Sequence, residues 1–232
     1  MTDKTATKKG WTAAAVIASV IVADQILKVW VKTTMTLHET IPITTWFKIC
    51  FIENNGMAYG MEIGSKLVLS LFRIAAIAVV SWYLAGQVRA KAKTGYIVCL
   101  ALVVAGAAGN IIDCMLYGIV FSASSPFFTA DIVPIGSGYA PFLMGKVVDM
   151  LYFPLIVTTW PAWMPGCGGE EFVFFSPVFN IADAAITVSV FLLILFYRKE
   201  LGTISLKTHK TAGAADNTAT DNTTAVTKDE KS

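Results

Sequence analysis

Apolar residues come in long runs along this chain, and the breaks between the runs are short and polar. The first run, Trp11 to Ala23, follows a polar start that carries Lys4, Lys8 and Lys9. Taken alone it is short and looks like the apolar region of a signal peptide. Its continuation argues otherwise. Asp24, Lys28 and Lys32 recur at i, i+4 and i+8, a single polar stripe on a helix that otherwise stays apolar. The pattern predicts an uncleaved first span over about residues 11–32, whose end turns the stripe toward a polar pocket. A solvated helix end with an Asp–Lys pair is the plainer alternative.

Residues 33–65 change period. Thr, Ile and Phe alternate around Pro42, Trp46 to Ile52 reads as strand, and Asn54-Asn55-Gly56 supplies a turn. A small β element on the membrane surface is expected. The second span, about 66–86, contains Arg73, which either snorkels or serves a polar pocket. A basic loop with Arg89, Lys91 and Lys93 leads to a third span over 95–112, where Gly106 to Gly109 allow close helix contact. The segment 113–178 is rich in Gly, Pro and aromatics, and Trp160 and Trp163 suit an interfacial location. Within it, 147–159 is apolar but interrupted by Asp149 and Pro154, which predicts a surface-lying or re-entrant piece. A fourth span over 179–197 ends at Arg198-Lys199, and the polar tail 207–232 is expected to be disordered.

Composition changes the picture in one respect: 55% of residues are hydrophobic and only 15% charged, with mean hydropathy +0.63. This is the balance of a mostly α, polytopic membrane protein, read here as one four-span domain over 1–206. The net charge of +2, with no basic run interleaved with aromatics, gives no reason to expect a nucleic-acid partner. Lysine and arginine concentrate in the N-terminus, the 87–94 loop and the tail, which the positive-inside rule places in the cytoplasm. Segments 33–65 and 113–178 then both lie outside. With only His38 and His209, a His-rich metal site or a Ser-His-Asp triad lacks the residues, and no metal or cofactor is expected. Of the four cysteines, Cys50 and Cys167 could pair if both lie outside, while Cys99 reads as membrane packing.

That topology gathers Asp24, Asp113, Asp149 and Asp183 at the outer end of the bundle, together with Asn54, Asn110 and Asn180. A helix N-terminus accounts for Asp183 alone but poorly for Asp149. Two close carboxylates raise the pKa of one member and share a proton near neutral pH. The ionised acid can then take a proton from water while the protonated one polarises a carbonyl. A proton-coupled carrier would instead hold its acids near the bilayer midplane, and a non-catalytic subunit would tolerate their single replacement.

Five segments resemble motifs of the lipoprotein signal peptidase (signal peptidase II) family, bacterial aspartyl peptidases of the cytoplasmic membrane. Ala23-Asp24-Gln25-Ile26-Leu27-Lys28 is similar to its DQxxK, and Asn54-Asn55-Gly56-Met57-Ala58-Tyr59 to its NxGxA[FY]. Gly109-Asn110-Ile111-Ile112-Asp113 is similar to GNxxD, Val147-Val148-Asp149 to VVD, and Phe179-Asn180-Ile181-Ala182-Asp183 to FNxAD. The resemblance implies cleavage of the signal peptide from diacylglyceryl-modified prolipoproteins, just before the lipidated cysteine. It makes Asp149 and Asp183 the catalytic pair. It gives Asp24, Asn54, Asn110, Asp113 and Asn180 the work of holding the site or contacting the substrate; Lys28, Gly56, Arg73 and Ala182 are candidates for the same supporting role. It also implies an enzyme of the bacterial inner membrane, with an extracytoplasmic β-cradle and a periplasmic flap or helix over the site; a monomer is the expectation. Two departures stand out. Cys114 occupies the place where the family commonly has Arg, and the stretches on either side of Asp149 are longer than in compact members, extra surface structure for a partner or lipid.

Overall fold

The computed structural model describes residues 4–55, 66–174 and 177–202. The tail 207–232 and residues 56–65, Gly56 among them, lie outside the described residues. The chain falls into two units, 1–189 and 190–232.

Three helices are long and apolar enough to cross a membrane. Helix α1 runs Lys4–Thr34, α2 Lys66–Arg89 and α3 Thr94–Ile112. At 1.5 Å per residue, the 31 residues of α1 reach about 46 Å, well beyond a hydrocarbon layer of about 30 Å. It starts earlier than the apolar run because its polar first turns have a local use: Lys9 Nζ donates to the carbonyls of Lys91 and Ala92 in the α2–α3 loop. The N-terminus and the basic loop therefore sit at the same end of the bundle.

The third helix does not stop at Ile112. It continues through a π-helical turn, Asp113–Tyr117, into a last turn α4, Gly118–Val120. Over this rod 61% of the apolar window is buried, against 17% for α1 and 11% for α2, so α3 is the central element. Small residues let it be so. A Cβ on Gly106 would collide with the Ala182 carbonyl oxygen, where the chain of α5, Ile181–Phe196, presses on it. With 16 residues, α5 is apolar but shorter than the other three.

The chain also forms an antiparallel sheet, in the order β1-β2-β3-β6. Its strands are β1 Thr40–Pro42, β2 Lys48–Asn54, β3 Val147–Tyr152 and β6 Val178–Phe179. Ile49 pairs with Leu151 and Ile52 with Asp149, so β2 carries one extra residue, a bulge, between those pairs. A separate hairpin pairs β4, Ile156–Thr159, with β5, Glu171–Phe174. The surface-lying or re-entrant piece expected over 147–159 is thus two strands. A strand buried on both faces reads as a continuous apolar run, which periodicity cannot separate from a helix. Val147, Val148, Asp149 and Met150 are all buried.

One face of β2–β3 packs into a cluster of Val31, Met35, Phe51, Tyr117, Phe121, Val148 and Met150, joining the end of α1 to the π-turn. The segment after Val120 completes that cover. Its backbone N–H groups answer the carbonyls that the helix end leaves open: Val133 bonds Val120, Gly136 bonds Ile119, Ala140 bonds Gly118 and Gly145 bonds Cys114. Among the described residues from Phe121 to Phe174 there is no helix. All four cysteines are free thiols, and Cys50 and Cys167 do not pair.

Candidate active site

The stripe on α1 is buried: Asp24, Lys28 and Lys32 each have at most 1% of their surface exposed. Lys28 is the hub. Its ammonium lies 2.9 Å from Asp24 Oδ2, 2.8 Å from Asp113 Oδ2 and 2.9 Å from Asn110 Oδ1. Three donors meet three acceptors, which is what a buried ammonium needs. Gln25 adds a bond from Nε2 to Asp113 Oδ1 at 2.9 Å, and Tyr117 OH donates to Gln25 at 3.2 Å.

Each acid that Lys28 holds also grips a piece of backbone. The Ala182 N–H donates to Asp24 Oδ1 at 2.9 Å, and the Val148 N–H donates to Asp113 Oδ2 at 3.2 Å. Ala182 precedes Asp183 and Val148 precedes Asp149. One lysine thus braces the two strand-and-helix segments that carry the other two acids.

Those acids meet through amides. Asn180 caps α5, its Oδ1 accepting the Asp183 N–H at 2.9 Å. With that oxygen occupied, its Nδ2 faces Asp149 Oδ1 at 2.7 Å and the Val148 carbonyl at 3.3 Å. Asn110 is oriented the same way: Lys28 takes its Oδ1, so its Nδ2 donates to Asp183 Oδ1 at 2.7 Å. Asn54 Nδ2 reaches Asp149 Oδ2 at 3.3 Å. Asp149 is 4% exposed. Burial, reinforced by the charge of Asp183, pushes its carboxyl up to about 7 against the pull of Asn54 and Asn180.

The candidates from the sequence converge with few exceptions. Asp24, Lys28, Asn54, Asn110, Asp113, Asp149, Asn180, Ala182 and Asp183 form one connected network. Arg73 turns inward, its Nη1 lying 3.7 Å from Cys114 Sγ. A cation from α2 therefore lies beside Cys114, the residue that stands in place of the arginine the resemblance leads one to expect. Gly56 lies outside the described residues.

One cluster escaped the sequence. Glu53 is buried among Lys32, Ser124 and Lys146, its Oε1 2.7 Å from Ser124 Oγ and its Oε2 3.0 Å from Lys146 Nζ. Lys32 pairs with it at 2.5 Å and lies over the rings of Tyr139 and Phe121. Burial works against the Glu53 charge, yet Lys32 beside it holds the carboxyl below its ordinary range. Strand alternation puts Glu53 on the face of Phe51, away from Asp149. Its partners lie far away in sequence, so the only available signal was that alternation. Among the described residues no group of three or more His, Cys, Asp or Glu is arranged to hold a metal ion.

Spans packed around a buried polar network, capped by a small sheet, define a membrane-embedded enzyme, and the comparisons agree. A solved chain titled as a bacterial membrane enzyme structure superposes with a TM-score of 0.57 over 83% of this chain and 90% of that one; at 23% identity, this is a likeness of fold. Residues 16–198 match the model of the signal peptidase (SPase) II family, and the chain belongs to that family of proteases. A lipoprotein signal peptidase of Porphyromonas gingivalis (strain ATCC 33277) is 48% identical over 199 residues, 85% of this chain and 86% of that protein. One of Amoebophilus asiaticus is 33% identical over 202 residues, 84% of this chain and 81% of that protein.

Proposed function

We propose that this protein removes the signal peptide from diacylglyceryl-modified prolipoproteins, cleaving just before the lipidated cysteine, with Asp149 and Asp183 activating water. The observation that carries the reading is the bridge at Asn180, one amide bonded to the Asp149 carboxyl and to the Asp183 backbone. Asp149 and Asp183 come from β3 and α5, and the charge of Asp183 bears on the Asp149 carboxyl. Near neutral pH the pair holds one proton, resting on the more buried Asp149. Asp183 takes a proton from water, Asp149 polarises the scissile carbonyl, and the proton then passes to the leaving amine. No covalent intermediate is required. The amides of Asn54, Asn110 and Asn180 orient both acids without adding charge.

In this reading α5 is the fourth span, both termini are cytoplasmic and the site opens at the outer face. The N-terminal lysines and the 87–94 loop lie at one end, and the sheet and acids at the other. A lipid-modified substrate then brings its scissile bond to headgroup level, beside the network, with its acyl chains between spans.

The test is incubation of purified protein with a diacylglyceryl-modified precursor and with its unmodified form. The modified precursor is cleaved, the unmodified one is not, and Asp149→Asn or Asp183→Asn abolishes cleavage. Full processing by either variant would remove the assignment.

A further inference from the structure

From Cys114 to Gly145 the chain carries a single charged side chain, Asp131. That is few for a water-exposed excursion. Nor does burial explain it. Past Val120, Phe127 is 91% exposed, Ile135 85% and Ile132 67%, and Phe128 and Phe142 are exposed as well. Exposed apolar residues at this density mark an interaction surface.

The loop is tied down at three places, all at one end of the bundle. The Leu37 N–H, just beyond α1, donates to the Ser125 carbonyl at 2.9 Å. Ser70, in the second turn of α2, donates to the Leu143 carbonyl at 3.0 Å. The Gly145 N–H bonds the Cys114 carbonyl on the third helix. The loop therefore runs around the outer ends of three spans. Where Ser70 anchors it, α2 exposes Val68 and Phe72 on its outward side, and Phe142 continues that apolar rim. The surface is continuous with the lipid-facing side of the spans.

We infer that residues 121–145 form a collar seated in the bilayer leaflet at the site end of the bundle, with Phe127, Phe128, Ile132, Ile135 and Phe142 in the boundary between headgroups and acyl chains. Large aromatic and aliphatic side chains on a nearly uncharged loop suit that layer. The collar also sets depth. Ser124 and Lys146, at its two ends, both bond Glu53, which precedes Asn54 on β2. The level at which the collar settles is thereby passed to the strand pair that carries Asp149.

Nitroxide labels test this in the full chain reconstituted into phosphatidylcholine vesicles. Cys50 and Cys167 are changed to serine, and the buried Cys99 and Cys114 do not take the label. Phe127→Cys and Ile135→Cys, both at exposed positions, are compared with Phe72→Cys as the lipid reference and Lys8→Cys as the aqueous one. At 127 and 135 the label gains oxygen broadening and loses nickel-chelate broadening, as at 72. Strong nickel broadening at both, as at 8, would overturn the proposal. Exclusion of both oxygen and nickel would also overturn it, because a protein partner or second copy would then cover the loop. The readout uses no substrate, so the collar and the peptidase reading stand or fall separately.

Discussion

Replacing Asp149 by Asn removes cleavage in our reading, yet it is expected to stabilise the fold above neutral pH. Folding raises the Asp149 carboxyl from 3.8 to about 7. The folded state thus holds a proton that the unfolded state releases between those values. Stability falls as pH rises through that window, and the loss is complete above about pH 7. At about 1.4 kcal/mol per tenfold change in ionisation equilibrium, the full loss is about 4 kcal/mol. The amide of Asp149→Asn carries no charge and escapes it. It does set an NH2 group against one of two donors, Asn54 at 3.3 Å or Asn180 at 2.7 Å. Turning the NH2 toward the longer bond limits that loss to about 1 kcal/mol. The net expectation, from the same two magnitudes, is a gain of about 3 kcal/mol at about pH 8.5 and near parity at about pH 5. Thermal unfolding of wild type and Asp149→Asn in the same detergent, at both pH values, measures it. Equal midpoints at the higher pH, or a gap that does not widen from the lower one, would refute the claim that this acid is forced to keep its proton.

Three further outcomes follow from the same contacts. Lys28→Met leaves Asp24 and Asp113 buried without their cation, and unfolding in detergent should show a loss of about 3–5 kcal/mol. Gly106→Ala drives a Cβ into the Ala182 carbonyl, so α5 must shift; stability drops by about 1–3 kcal/mol and cleavage falls with it, measured on one preparation. Glu53→Gln strips Lys32 of the carboxylate it is paired with, costing about 3–5 kcal/mol in the same unfolding assay.

The spans and the acid network were legible because the bilayer forces long apolar runs, against which a polar residue is conspicuous. Asp24, Lys28 and Lys32 declared themselves by spacing alone. The convergence of Asp149 and Asp183 rested on topology and on a resemblance, since no local pattern joins β3 to α5. What escaped has physical reasons. Strand β3 is buried on both faces, so its alternation is silent. The π-turn at Asp113 lacks a local signature, because the carbonyl of Cys114 in it is filled from a distant residue, by the Gly145 N–H. The Glu53 cluster draws its members from α1, β2 and either end of the collar. Arg73 was ambiguous until Cys114 gave it a direction.

The bulge in β2 decides the chemistry of what faces Asp149. Ile49 lies opposite Leu151, and two-residue alternation without the bulge would carry Phe51 to Asp149 and Glu53 to Val147. The supernumerary residue swaps the parity, so that Asn54 takes the inward place and Glu53 turns to its lysines. In a strand of the same residues without that step, Glu53 would take the inward place and turn a third carboxylate toward the pair. There, in our reading, it would hold the shared proton more tightly and set a negative charge beside the attacking water, so the acid pair owes its neutral amide neighbour to one irregular step in a strand.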